Sequence, residues 1–254
     1  VKYGAPEHIL YESHPHIGTN KLPQIITAMR EQISACGGEI HFEKKVTDFV
    51  LQNSLISKVI TADGNGFEAD AFLLATGHSA RDVFELLHNK AISIEAKPFA
   101  LGVRVEHPQT LIDSIQYHCS SRGDFLPPAA YSLVEQVNER GVFSFCMCPG
   151  GIIAPASTGP NELVVNGWSP SKRNNPFANS GMVVQVDQEE AFNATRELKI
   201  AAENPLLFMH FQQKIERLSY QYGGGNFVAP AQRMVDFCNG KTSANLPENS
   251  YLPG

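Results

Sequence analysis

The sequence predicts an α/β protein with a strand-rich α+β insert, and three features support this fold class. Apolar residues recur at helical spacing between residues 22 and 33, and strand candidates follow that helix. A continuous apolar run at 71–75 is typical of a strand buried on both faces. Between 92 and 187, short alternating segments separated by turn residues predict a mixed sheet.

Composition limits the functions that the chain can have. Its 254 residues suffice for one large domain or two ordinary ones, and 43% of them are hydrophobic. A net charge of −6 without a strongly basic stretch argues against a nucleic-acid partner. The apolar runs are too short to cross a membrane, and five cysteines do not suggest a secreted disulfide scaffold. We therefore expect a cytoplasmic protein that acts on a small molecule.

The first third predicts a helix followed by a three-stranded meander. Thr19 or Asn20 can cap a helix that continues to about residue 35, where a glycine pair ends it. The expected strands are 39–42, 46–51, 55–62 and a short one from residue 67. Asp63-Gly64-Asn65-Gly66 is a strong hairpin signal because glycine accepts a positive φ.

A glycine turn follows the apolar run 71–75. Thr76-Gly77-His78 leads to Ser79 and Asp82, which resemble a capping box that opens a helix to about residue 88. Such a turn, between a buried strand and a helix, is where α/β proteins place phosphates or dinucleotides. Gly77 suits this role because it has no Cβ, although a glycine that packs a helix against a strand has the same signature.

The remainder of the chain alternates strands and helices. The expected strands are 92–95, 99–106, 130–137, 142–147, 162–166 and 182–187. The expected helices are 108–116, 187–203 and one that starts at Asn204-Pro205 and ends at Gly223.

Several motifs, taken in order, carry a family resemblance. They are 37–46 with the meander and 70–77, then 14–18, 97–107, 145–151, 166–169, 178–180, 229–232 and 236–237. Together they resemble the bacterial family of uncharacterised FAD-dependent, or NAD-utilising, dehydrogenases in the two-dinucleotide-fold flavoprotein superfamily. The resemblance implies FAD as the cofactor, with NAD(P) as an electron partner. It places Val46 near the adenine and Ala75-Thr76-Gly77 near the dinucleotide.

One family feature is absent from the sequence. Family members begin with a strand, a Gly-x-Gly-x-x-Gly loop and a helix that bind the pyrophosphate, and this chain has no such loop. The resemblance therefore implies a central piece of a longer flavoprotein, which binds FAD poorly without the remainder of its own polypeptide. The implied parts are a partial FAD-binding domain at 1–90, an inserted substrate or cap domain at 91–235, and a segment returning toward the FAD-binding domain at 236–254.

The catalytic candidates are His16, Cys146 and Cys148. The two cysteines stand at i and i+2 and so share a strand face, which fits either a redox pair beside a flavin or two buried structural residues. Pro149-Gly150-Gly151 allows close approach to a flavin, or forms an ordinary turn. His16 is an acid/base candidate by resemblance, although a hydrogen-bonded structural histidine is the simpler interpretation, and no set of metal ligands is identifiable around it.

The polar stretch before residue 181 is the expected substrate side. Its candidate substrate-binding residues are Asn166, Ser169, Arg173, Asn179 and Ser180. Arg173 is the natural anchor for a carboxylate because its guanidinium can make two parallel hydrogen bonds. His78 is a candidate cofactor contact. Arg81 is a candidate phosphate ligand, although a solvated surface position is its simpler interpretation.

Two functions remain open from the sequence. No Ser-His-Asp order, Walker loop or His-Glu-x-x-His helix occurs, so hydrolase chemistry has no support. The favoured function is hydride transfer between a small-molecule substrate and a flavin. The alternative is a non-catalytic nucleotide-binding or regulatory module with a flavoprotein fold, and a reducible flavin in the full-length protein would separate the two.

Overall fold

The computed structural model describes residues 1–251, which form antiparallel sheets with helices packed around them. The helices are α1 (Leu22–Ala35), α2 (Arg81–Asn89), α3 (Gln109–Tyr117), α4 (Gln188–Ala194), α5 (Leu207–Tyr222) and α6 (Met234–Cys238). The strands are β1 (Val46–Gln52), β2 (Leu55–Thr61), β3 (Gly66–Glu68), β4 (Phe99–Pro108), β5 (Val134–Val137), β6 (Arg140–Cys148), β7 (Ile152–Ala156), β8 (Val164–Trp168) and β9 (Phe177–Val186). No helix within 1–251 has both the length and the apolar character needed to span a membrane.

The predicted meander is confirmed. Strands β1, β2 and β3 are neighbours in that order and pair antiparallel. Helix α2 covers one face of them, because Val83 and Leu87 pack against Phe49 to form a small core. The predicted capping box is wrong, since Ala80 is the N-cap and makes no side-chain cap bond. Asp82 instead forms an ion pair with Lys45 at 2.7 Å.

Three predicted strands are wrong. Residues 39–42, 71–75 and 92–95 have no strand conformation. The apolar run 71–75 is open to solvent, with Leu73 92% exposed. A strand requires partners for its backbone hydrogen bonds, and no strand within residues 1–251 pairs with this segment.

Helix α1 begins at Leu22 and presents most of its apolar stripe to solvent. Lys21 is the N-cap, so neither Thr19 nor Asn20 caps this helix as predicted. Asn20 instead exchanges hydrogen bonds with Ser171, through its amide nitrogen at 3.3 Å and its amide oxygen at 2.9 Å. Of the apolar stripe, only Ile25 is buried.

The largest sheet has the strand order β4-β9-β6-β5. All its neighbouring strands are antiparallel, so the predicted mixed sheet is corrected to an antiparallel one. Strands β4 and β9 pair along their whole length, from Phe99 opposite Val186 to Pro108 opposite Phe177. Strand β7 was not predicted from its sequence, which contains Pro155, and it pairs with β8 as a separate ribbon.

Helices and the β7–β8 ribbon lie on opposite faces of this sheet. Helices α4 and α5 pack on it through a core that joins Val186 to Leu207, Phe208 and Phe211. Asp187 caps α4 in a capping box with Glu190, which confirms the predicted start of that helix. Helix α4 ends at Ala194, earlier than predicted. Strand β8 of the ribbon contacts the opposite face of the largest sheet, where it meets the side chains of Arg104 and Asn179.

Arg81 is buried in an ion cluster, so its predicted surface position is wrong. The residue is 8% exposed, and its two terminal nitrogens donate to Glu162 at 2.6 Å and to Glu216 at 2.9 Å. Both carboxylates are also buried. These contacts join the start of α2 to the segment before β8 and to α5, and they occupy the guanidinium that was a candidate for phosphate binding.

Candidate functional site

The residues predicted to contact the dinucleotide differ in exposure, since Val46 packs partly against the core of Phe49, Val83 and Leu87, whereas residues 75–78 are exposed. Val46 begins β1, and Ala75-Thr76-Gly77-His78 form an exposed turn before α2. Gly77 has a φ of +75°, and no atom lies within 4 Å of the position that a Cβ would take. The 75–78 turn therefore leaves room for a ligand to reach its backbone, which fits a dinucleotide lying along it.

The 149–151 turn packs against the loop that contains Arg173. Gly150 has a φ of +54°, and a Cβ there would collide with the carbonyl oxygen of Arg173. A Cβ on Gly151 would lie 2.5 Å from the carbonyl oxygen of Trp168. The chain's own backbone therefore requires glycine at both positions. Proximity of this turn to a flavin stays a prediction.

A segment near the start of the chain is held against loop 169–176, the residues between β8 and β9. Thr19 donates to the carbonyl of Ser169 from its backbone N–H at 3.1 Å and from its hydroxyl at 3.2 Å. A Cβ on Gly18 would lie 2.7 Å from the Cβ of Ser171. These contacts place the predicted His16 region beside the predicted substrate loop.

His16 lies at the edge of this loop. Its Nε2 is 3.0 Å from the carbonyl oxygen of Pro170. Burial lowers the pKa of His16, and the positive charge of Arg173 lowers it further. The imidazole is therefore neutral near pH 7 and serves as a hydrogen-bonding group. The structure thus brings two predicted site residues, His16 and Arg173, into one neighbourhood.

Cys148 belongs to a polar cluster between the largest sheet and β8. Arg104 donates from Nη1 to the Oδ1 of Asn179 at 2.5 Å and to the carbonyl of Cys146 at 3.3 Å. A Cβ on Gly167 would lie 2.6 Å from that Oδ1 and 2.7 Å from the Sγ of Cys148. The Nδ2 of Asn179 is buried and has no partner within residues 1–251. A glycine on β8 is therefore needed for the ribbon to close over this cluster.

The two predicted catalytic cysteines occupy different environments. Cys146 is exposed at an irregularity in the β6–β9 pairing, with a φ of +50°. Cys148 is buried, and burial raises the pKa of its thiol to about 11. Because the thiolate is the nucleophile, the environment of Cys148 disfavours redox chemistry at neutral pH.

We expect iodoacetamide to label Cys148 far more slowly than Cys146 at mildly alkaline pH. Relative to an ordinary thiol, the raised pKa reduces the thiolate fraction of Cys148 by roughly 100-fold, and burial restricts access further. Peptide mass spectrometry of timed samples measures the rates, with exposed Cys36 and Cys238 as reagent controls. Equal labelling of Cys146 and Cys148 in the folded protein would contradict the assigned environment.

The predicted substrate-binding residues separate into three places. Asn166 is exposed on β8, whereas Ser169 and Arg173 lie in the loop that follows this strand. Asn179 and Ser180 are 0% exposed in β9. Ser169 is also buried, and its hydroxyl donates to the carbonyl of Pro149 at 3.1 Å. A ligand can therefore reach Asn166 and Arg173, but it does not reach Ser169, Asn179 or Ser180 in this conformation.

Sequence reasoning assigned no role to three residues of this region. They are Arg104, His107 and Tyr131. For Arg104, the alternation of β4 was an available signal, because it places this cation opposite the apolar face. The Nε2 of His107 lies 2.9 Å from the Tyr131 hydroxyl, and burial lowers the pKa of His107 and raises that of Tyr131. No local pattern predicts this pair, since helix α3 and the irregular segment after it separate its members.

Two clefts flank loop 169–176. One has a volume of about 430 Å³ and is lined by Trp168, Pro170 and Ile152, among others. The second has a volume of about 470 Å³, and its lining includes Arg173. Both volumes lie in the range of pockets that bind small molecules.

Comparison with known proteins gives two findings. Residues 98–254 match a family model described as FAD-dependent protein, C-terminal domain-like. The whole chain is also similar to an uncharacterised protein of Clostridium beijerinckii, with 38% identity over 258 residues. The alignment covers 100% of this chain and 46% of that relative, so the chain spans about half the relative's length.

Proposed function

The chain belongs to this family of FAD-dependent proteins, and from that membership we propose that it is part of a longer FAD-dependent oxidoreductase. The proposed reaction is hydride transfer between a small-molecule substrate and the flavin. The observation that carries this proposal is the match of 98–254 to the family's C-terminal domain. The open 75–78 turn and the two small-molecule-sized clefts support it.

The proposed division of labour combines the family resemblance with the positions of these residues. FAD, when bound, supplies the redox chemistry. Val46 and the 75–78 turn hold the dinucleotide, and the 149–151 turn lies toward the flavin. Loop 169–176 shapes the substrate side, where neutral His16 offers a hydrogen bond rather than a charge. The remainder of the polypeptide supplies the pyrophosphate site, and NAD(P) is the proposed electron partner.

The test is flavin binding by the complete gene product and by the 254-residue chain. We expect the complete product to carry stoichiometric FAD that NADH or NADPH bleaches under anaerobic conditions. We expect the chain alone to retain little FAD, because it lacks a Gly-x-Gly-x-x-Gly loop. A complete product without flavin would overturn the proposal, and a bound flavin that no reductant bleaches would favour the non-catalytic module.

A matched pair of glycine variants tests the 75–78 turn. Gly77 and Gly64 both have positive φ, and a Cβ on either would meet no atom within 4 Å. Both Gly→Ala changes therefore introduce the same backbone strain, but only Gly77 lies at the proposed dinucleotide contact. We expect Gly77→Ala to weaken FAD binding by the complete product about tenfold or more, and Gly64→Ala to leave it unchanged. Equal FAD affinities for the two variants would remove Gly77 from the site.

A further inference from the structure

Within residues 1–251, Arg173 has no carboxylate partner. Arginines with such a partner are Arg81, Arg122, Arg140, Arg217 and Arg233. The Nε of Arg173 is buried, and no hydrogen-bond acceptor of residues 1–251 lies within reach of it. Removing a guanidinium donor from water without a partner costs free energy, so an acceptor that contacts this Nε would stabilise the folded protein.

The second cleft supplies the space for such an acceptor. Its volume is about 470 Å³, and Arg173 lines it together with Thr110 and Asn174. Arg122, in the same cleft, is already neutralised by Asp113 at 2.7 Å. Arg173 is therefore the cation of this cleft that remains available to a ligand.

The backbone around Arg173 is held in place. Its φ is +47°, a left-handed conformation that costs a non-glycine residue about 1–2 kcal/mol. The Arg173 N–H donates to the carbonyl of Pro170 at 3.0 Å. Nearby, Gly150 accepts from the Asn175 N–H at 3.2 Å and donates to Gln109 at 2.7 Å. The guanidinium is thus mounted on a fixed loop, as a preorganised binding group requires.

The charges around the cleft favour a singly charged ligand group. Glu248 also lines the cleft, and Glu12 lies near enough to Arg173 to favour its charged form. Neither carboxylate forms an ion pair with Arg173 within residues 1–251. Their negative charges oppose a doubly charged phosphate more strongly than a carboxylate.

We propose that Arg173 binds the carboxylate of a small organic acid in the cleft between loop 169–176 and the start of α3. A carboxylate presents two oxygens to two guanidinium N–H groups, which gives a bidentate, charge-assisted contact. The hydroxyl of Thr110 and the amide of Asn174 are available to the rest of the molecule. The further statement that this acid is the redox substrate rests on the proposed function. The statement that Arg173 binds it does not depend on that function.

The experiment measures binding of propionate, acetate and inorganic phosphate by the 254-residue chain. Trp168 is the sole tryptophan of the sequence, ends β8 directly before loop 169–176 and lines the adjoining cleft, so its fluorescence reports on occupancy. Calorimetry provides a second readout. We expect saturable binding of a carboxylate in preference to phosphate, and about tenfold or greater weakening in Arg173→Gln.

Two variants control for charge and for geometry. Lys172→Gln removes the neighbouring exposed cation, and we expect it to change affinity less than twofold. Arg173→Lys keeps the positive charge but loses the planar guanidinium with its paired N–H donors. The carboxylate affinity of this variant should therefore fall between those of wild type and Arg173→Gln. Equal weakening by Lys172→Gln, preferred binding of phosphate, or no saturable carboxylate binding would each overturn the proposal. Flavin content of the complete product is measured separately. An error in the carboxylate proposal is therefore distinguished from an error in the proposed FAD-dependent function.

Discussion

Replacing Arg81 with methionine is expected to lower the free energy of unfolding by about 3–5 kcal/mol. The change leaves Glu162 and Glu216 buried without the cation that both contact. Breaking a buried ion pair from one side costs this much because the remaining charge is uncompensated. Arg217, whose Nε is 3.3 Å from Glu162, is largely exposed and compensates one carboxylate only in part. The corresponding fall in Tm is about 6–20 °C for a chain of this size.

A surface ion pair on the same helix is the matched control. Lys45 and Asp82 are 2.7 Å apart at the start of α2, and both side chains are largely exposed. Lys45→Met should therefore cost less than about 1 kcal/mol. The triple variant Arg81→Met, Glu162→Gln, Glu216→Gln should recover part of the loss, because it removes both buried charges. An Arg81→Met protein as stable as Lys45→Met would show that the cluster is not a buried charge network.

Arg81 also shows why burial was not predictable at this position. Its partners lie 81 and 135 residues away along the chain, so no local window contains them. From its neighbours alone, an arginine in the first turn of a helix is typical of a solvated surface. Only the tertiary packing of the start of α2 against α5 and against the segment before β8 brings Glu216 and Glu162 to it.

Features set by a few neighbouring residues were predicted with mixed success. The Asp63–Gly66 hairpin and the start of α4 at Asp187 depend on short-range backbone preferences, and the structure has both. The caps predicted at Thr19 or Asn20 and at Ser79 were equally local, and both were wrong. The run 71–75 has equally clear apolar character, yet it forms no strand. A strand depends on partners elsewhere in the chain, which its own sequence does not specify.

The candidate site shows the same division between local and distant information. The sequence identified His16, Ser169 and Arg173 separately, and the structure places His16 and Arg173 close together across about 150 residues of chain. The sequence did not predict the cluster of Arg104, Asn179 and Cys148, because this cluster depends on how the β7–β8 ribbon packs on the sheet. The sequence predicted a close approach at the 149–151 turn, but it did not indicate that backbone from loop 169–176 makes that approach.

Gly150→Ala is expected to be the most damaging small substitution at the candidate site. The backbone at Gly150 is left-handed, and this conformation costs a residue with a Cβ about 1–2 kcal/mol. The added Cβ also collides with the carbonyl group of Arg173. Overpacking against a fixed backbone adds about 1–3 kcal/mol, so the expected total loss of stability is about 2–5 kcal/mol. Because the loop must move to relieve this contact, the Arg173 guanidinium should lose its position and carboxylate binding should weaken with it.

Gly64→Ala isolates the strain from the collision. Gly64 has a φ of +82° with open space around its Cβ position, so its variant should lose only the strain contribution and bind carboxylates normally. Chemical denaturation measures both stabilities, and Trp168 fluorescence follows any movement of the loop that joins this tryptophan to Arg173. If Gly150→Ala were no less stable than Gly64→Ala and bound carboxylates equally well, loop 169–176 would be free to shift, and a rigidly held Arg173 would not explain ligand binding. A large loss of both stability and carboxylate binding in Gly150→Ala, but not in Gly64→Ala, would instead show that Gly150 sets the position of Arg173 through direct backbone contact.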